Sequence, residues 1–222
     1  MRLLILGSGS SGNCTYVETE KCRLLVDAGF GIRCLRRRFK DAGLEPEGID
    51  AILITHGHTD HVKGVEGLSR QFGAQVYASE GTRDEAYSLQ EIDGVRTFKG
   101  GDCFEIGDVE VRTFPIPHDS AEAVGFRLSN GGVAGLLATD LGCITEAVEY
   151  NARGCDWLVL ESNHDEELLK LGPYPWHLKR RVLSDQGHLS NSCLADFLTE
   201  GFDGSASHLF LAHLSRQNNA PE

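Results

Sequence analysis

Seven consecutive residues hold the densest chemistry in this 222-residue chain: Thr55-His56-Gly57-His58-Thr59-Asp60-His61. Three imidazoles and one carboxylate fall within six positions, directly after the apolar run 51–55. With 9 histidines in the whole chain, three of them so close together with an aspartate between are not a chance polar loop. A loop leaving a strand can aim His56 and His58 at one point. A helix starting near Asp60 then turns Asp60 and His61 toward a neighbouring point. Two ligands at each of two points suit two cations better than one. Nitrogen and oxygen donors of this kind suit zinc, manganese or iron.

Four ligands do not complete two sites, so other donors are expected where strands end. Three residues have that placement. His118 follows the strand-like run 109–114 through Pro115-Ile116-Pro117, Asp140 follows 135–139, and His213 follows 208–212. His188 lies in Gly187-His188-Leu189-Ser190-Asn191, just ahead of an expected helix over 190–198 with Ser190 or Asn191 as its N-cap. The exposed N–H groups of a helix start suit a phosphate. His164, after the expected strand 157–161, either faces the site as a substrate contact or sits on an exposed loop. Gly7–Gly12 has the form GxGxxG after a strand, but 13–17 is strand-like and opens no helix, so a dinucleotide loop is excluded by context. A tight turn beside the metal residues is the better reading.

Periodicity places these residues on a frame. Strands are expected at 3–6, 15–18, 23–26, 51–55 and 74–78, with helices at 32–42 and 64–72. The runs 95–98, 103–106 and 109–114 read as an antiparallel meander. Strands follow at 125–128, 135–139, 157–161 and 208–212, with helices at 144–151 and 190–198 and a helical stretch over 163–183 broken at Gly172-Pro173-Tyr174-Pro175. Each half runs from strands to helices. Two sheets face to face with helices outside, an α/β fold of αββα sandwich type, satisfies that order within one domain over 1–222. The chain stops soon after its last strand with no closing element, and is expected to continue.

Composition narrows the function classes. The formal charge is −12, from 21 basic and 33 acidic residues, which argues against coating nucleic acid by bulk charge. Bound divalent ions would return positive charge locally. Two basic runs, 33–40 and 179–181, are solvated faces or a track for a phosphate backbone. No apolar run reaches the ~20 residues of a membrane span. Seven cysteines with no CxxC pair fit reduced thiols in a cytoplasmic protein.

Val26-Asp27-Ala28-Gly29, the HxHxDH block, His118, Asp140 and His213 resemble, in order, the five motifs of the metallo-β-lactamase fold. Gly7-Ser8-Gly9-Ser10-Ser11-Gly12-Asn13, Glu161-Ser162-Asn163-His164-Asp165, Gly187-His188-Leu189-Ser190-Asn191 and His213-Leu214-Ser215 with Asn218-Asn219 are similar to the WalJ/YycJ (VicX) family of bacterial hydrolases. That family is related to the tRNase Z and RNase J nucleases. The resemblance implies one ion on His56, His58 and His118, and a second on Asp60, His61 and His213. It also implies that Asp140 bridges them and that Asp27 orients a ligand imidazole. It further implies two-metal hydrolysis of phosphodiesters, with Asp60 near the attacking water and His188 as phosphate contact or general acid. Ser190 joins His164 among the expected substrate-side residues. The implied activity is a 5′→3′ DNA exonuclease, with DNA favoured over RNA. Two alternatives compete with it: hydrolysis of a small phosphodiester or thioester, and a non-catalytic regulatory metalloprotein.

Overall fold

The computed structural model describes residues 1–44 and 48–220. Among these residues, twelve strands form two six-stranded sheets. Contacts divide the chain into two compact units: Met1–Val111 with Ser120–Val124, and Arg112–Asp119 with Gly125–Glu222.

The first sheet runs in chain order from β1 (Arg2–Gly7) through β2 (Cys14–Glu18), β3 (Arg23–Val26), β4 (Ala51–Leu53) and β5 (Gln75–Ser79) to β6 (Arg96–Phe98). The pairs β1–β2 and β2–β3 are antiparallel; β3–β4, β4–β5 and β5–β6 are parallel. Parallel pairing requires a crossover, and helices supply it. Helix α1 (Ile32–Asp41) joins β3 to β4, and α2 (Thr59–Val62) with α3 (Val65–Phe72) joins β4 to β5. The β5–β6 crossover holds α4 (Glu80–Glu85) and α5 (Tyr87–Gln90), two short helices that the periodicity did not reveal. Ser79 starts α4 by accepting from the Thr82 N–H. Leu35 and Phe39 of α1 join Leu25, Ile52, Val76 and Leu68 in the core of this unit. Val17, Leu24 and Leu53 alternate with those strand residues and are buried too, so the sheet is covered on both faces.

The second sheet has the order β12-β11-β10-β9-β8-β7. Its strands are β7 (Cys103–Ile106), β8 (Val109–Pro115), β9 (Val124–Asn130), β10 (Val133–Ala138), β11 (Trp157–Glu161) and β12 (His208–Ala212). The expected meander over 95–114 is therefore corrected. β6 pairs parallel with β5 in the first sheet, and only β7 and β8 belong to the second. Three short apolar runs between glycines carry no information on which edge each one joins. β9 and β10 form a hairpin around Gly131-Gly132, whereas β10–β11 and β11–β12 are parallel. Helix α6 (Glu146–Ala152) makes the first crossover. The second contains α7 (Glu166–Leu171), α8 (Trp176–Val182) and α9 (Asn191–Asp196), the last running into a π-helical turn at Phe197–Gly201.

All seven cysteines are free thiols; Cys14, Cys22 and Cys155 are buried, and Cys103 and Cys193 are exposed. No helix among the described residues is long and apolar enough to cross a membrane.

Candidate metal centre

In the first unit the candidate ligands leave the carboxyl ends of two neighbouring parallel strands, where open α/β sheets present their sites. β3 leads into Asp27, and β4 leads through Ile54 into Thr55-His56. Asp27 is buried and adopts a left-handed backbone (φ 61°), which costs a non-glycine residue ~1–2 kcal/mol. The turn is held by its own N–H on the Leu53 carbonyl (2.8 Å) and by Ala28 N–H on the His61 carbonyl (2.8 Å). The carboxylate then accepts from Thr55 N–H (2.9 Å), Thr55 Oγ1 (2.9 Å) and His61 Nδ1 (2.8 Å).

These bonds fix the tautomers. His61 donates Nδ1–H to Asp27, so its lone pair sits on Nε2. The only Thr55 hydroxyl proton goes to Asp27. Thr55 Oγ1 therefore accepts from His56 Nδ1 (3.0 Å), and the His56 lone pair also sits on Nε2. His56 Nε2 lies 3.1 Å from His58 Nδ1. Two nitrogens bound to one tetrahedral zinc at ~2.0–2.1 Å are about 3.3 Å apart, so the spacing fits a shared cation. Asp60 Oδ2 and His61 Nε2 form a second pair at 3.7 Å. The Asn13 amide donates to both, at 3.3 and 2.9 Å, while its Oδ1 accepts from Gly9 N–H at 2.8 Å. Gly7–Gly12 is thus a turn that aims Asn13 at the ligand pair. Asn13 was not singled out from sequence, where it reads as an ordinary turn residue.

Gly29 lets this loop close. A Cβ there would lie 1.6 Å from the Asp60 carbonyl oxygen, a backbone atom that cannot swing away. Gly29→Ala is expected to cost about 3 kcal/mol. It would lower Tm by roughly 6–12 °C, read by thermal melts of the apo protein. An unchanged melt would show that the loop yields.

The second unit repeats the strand-end arrangement. Asp140 follows β10 and His213 follows β12, again with left-handed backbones (φ 60° and 53°). Glu161 ends β11 between them and is fully buried. Its Oε1 accepts from His213 Nδ1 and His188 Nδ1, each at 2.8 Å, and its Oε2 from Leu141 N–H at 2.9 Å. Burial opposes ionisation of Glu161, but the two imidazoles outweigh it and hold the carboxyl below its ordinary range. Burial likewise opposes the His188 imidazolium, and Glu161 raises it above the usual histidine range. His213 Nε2 approaches Asp140 Oδ1 at 3.3 Å. Asp140, Glu161, His188 and His213 have donor atoms close enough to hold one cation. His118 donates Nδ1–H to the Gly187 carbonyl (3.3 Å), which leaves its lone pair on Nε2.

The remaining expected residues have distinct places. His164 is buried, which excludes the exposed-loop alternative; Nδ1 meets Asn163 Oδ1 at 3.3 Å, and burial holds its pKa down. Ser190 is the N-cap of α9, its buried hydroxyl accepting from Cys193 N–H at 3.2 Å. Glu161 and Asn163 were missed as functional residues. Asn163 Nδ2 donates to the His213 carbonyl at 2.8 Å and fixes the ligand's backbone. The run 179–181 is not one basic patch. Lys179 is buried with Nζ on the Lys170 carbonyl, Arg181 pairs with Asp119, and Arg180 points to solvent. In α1, Arg38 is structural, donating to the Leu6 carbonyl (2.6 Å) and lying over the Phe30 ring.

The profile of a family described as a β-lactamase superfamily domain matches residues 22–211. The chain belongs to this superfamily. It is 39% identical over 223 residues to exodeoxyribonuclease YycJ of Bacillus anthracis, covering 98% of this chain and 84% of that one. Exodeoxyribonuclease WalJ of Streptococcus pneumoniae is 37% identical over 98% of this chain and 83% of its own. The structure of human tRNase Z, short form, superposes with a TM-score of 0.71 at 18% identity, covering all of this chain and 97% of that one. The fold class expected from the sequence, the metallo-β-lactamase α/β fold, is the one these proteins share.

Proposed function

We propose that this superfamily member is a metal-dependent phosphodiesterase that shortens DNA from its 5′ end. The observation that carries the reading is the paired donor atoms at strand ends, accompanied in the second unit by the part-exposed imidazole of His188 on buried Glu161. Near-full-length identity to proteins named exodeoxyribonucleases supports DNA as the substrate class. Two divalent ions, zinc or manganese, would be held by His56, His58 and His118, and by Asp60, His61 and His213, with Asp140 common to both. When bound, the ions supply a nucleophilic water at neutral pH and neutralise phosphoryl charge.

The chain's own residues do the rest. Asp27 and Glu161 orient His61 and His213 through their Nδ1–H groups. His188, held at Nδ1, offers Nε2 to a phosphate oxygen or to the departing alkoxide. The seven free thiols support a cytoplasmic setting, and both units act as one domain in this reading.

The test is a time course with 5′- and 3′-labelled duplex DNA and matched RNA, in Mn²⁺ or Zn²⁺. Shortening of DNA from the 5′ end without internal products is the expected result. Absence of DNA cleavage by folded, metal-loaded protein would overturn the reading and favour a small phosphodiester.

A further inference from the structure

The α7–α8 hairpin of the second unit carries features that metal chemistry does not use. Trp176 is 62% exposed and Leu171 83% exposed, and Leu168 and Leu183 are exposed as well. Half of the eight large apolar side chains exposed among the described residues therefore fall within 168–183. That clustering marks a surface, since single exposed apolar residues are commonplace. On α8, Trp176, Arg180 and Leu183 stand at i, i+4 and i+7, along one face. The helix is anchored beside this face by buried Val182 and by Lys179 on the Lys170 carbonyl. α8 contains no acidic residue, and Arg180 makes no ion pair among the described residues.

The helix is also tied mechanically to the candidate centre. Arg181 donates to Asp119 (2.5 Å), the residue after His118. His188 N–H donates to the Val182 carbonyl (3.0 Å), and a Cβ on Gly187 would lie 2.2 Å from the Arg181 carbonyl. The loop bearing His188 thus rests on the last turn of α8. Arg181 and Trp176 are about 7–8 Å apart along the axis.

We propose that α8 guides the substrate strand: Trp176 stacks a base of single-stranded DNA and Arg180 engages a phosphate of the same strand. The inference rests on the nuclease reading and deepens it. Aromatic faces stack any base, and a cation beside them tracks the backbone, which is how strands are held without sequence preference. Lys179 and Arg181 are engaged within the fold, so Arg180 is the cation this face presents, beside an aromatic ring and on the helix whose last turn carries the His188 loop, which places the pair where a strand leading to the candidate centre would run.

The chain has two tryptophans, and Trp157 is buried, so the solvent-exposed, longer-wavelength component of the emission reports on Trp176. The probe is a phosphorothioate oligodeoxythymidine of about a dozen nucleotides, added to metal-loaded protein. Binding is expected to quench the exposed component. By anisotropy of the labelled probe, Trp176→Ala should weaken affinity about tenfold and Trp176→Phe less than threefold. Arg180→Ala should reduce the salt slope of binding by about one. On cleavable DNA, Trp176→Ala should raise KM with little change in kcat. Shortening of DNA by the wild type with no emission change, or unchanged affinity in Trp176→Ala, would overturn this inference alone and leave the exposed row to a protein partner. A wild type that neither binds nor shortens DNA would overturn the nuclease reading as well.

Discussion

His58→Ala is expected to abolish phosphodiester hydrolysis while leaving the apo fold intact. The His58 imidazole is only half-buried and lies on the loop ahead of α2, so its removal opens no core cavity. The apo melt should move by no more than a few degrees. What is lost is one of two nitrogens 3.1 Å apart, and with it a complete cation site. Several kcal/mol of transition-state stabilisation depend on a bound ion, which is on the order of 10³-fold in rate. Metal binding should show the same loss independently. At one hundred times its dissociation constant, a bound ion stabilises the folded wild type by about 2.7 kcal/mol, and His58→Ala should lose much of that gain. Retention of full activity and full metal content by the variant would remove His58 from the ligand set.

Glu161→Gln should be almost as damaging, although Glu161 is assigned to neither ion. Its Oε1 accepts two imidazole N–H groups, and Oε2 accepts a backbone N–H. A glutamine amide has one oxygen and two N–H donors, so at least one of these donors would face another donor. With the amide oxygen in the Oε1 position the NH2 group meets the Leu141 N–H and displaces the turn after Asp140; with the amide reversed, His188 and His213 both lose their acceptor. Loss of such an orienting partner typically costs 10–100-fold in metal affinity or activity. Because two histidines share the one carboxylate, we expect the fall in kcat/KM to lie at or above the upper end of that range. A glutamate is needed for reach as well as charge, so Glu161→Asp should recover only part of the activity. Metal titration alongside kinetics separates the two partners: weaker metal binding reports on His213, and a fall in kcat at saturating metal reports on His188. Activity within threefold of wild type in Glu161→Gln would show that neither histidine depends on it.

The local chemistry was legible because it is written locally. The cluster from His56 to His61 occupies six positions, and His118, Asp140 and His213 each follow an apolar run that ends in a turn. Strand and helix periods gave most elements of both sheets, since burying one face imposes spacings of two or about 3.6 residues. Helix starts at Ser190 and in the helical stretch after His164 follow from polar caps, whose hydrogen bonds span three residues.

The tertiary structure alone decided which polar atom meets which. Glu161 is one of 33 acidic residues and ends a strand like many others; only folding brings it to His188 and His213, 27 and 52 positions away. Asn13 reaches His61 across 48 positions. The same holds for the fates of Lys179, Arg180 and Arg181, adjacent in sequence and serving three different ends. The left-handed turns at Asp27, Asp140 and His213 belong here too, because only surrounding contacts can hold a non-glycine residue in that conformation. Residue type and spacing report what a short segment can bury and what it can ligate. The direction of each imidazole lone pair is set by a partner distant in sequence, and no local pattern records that partner.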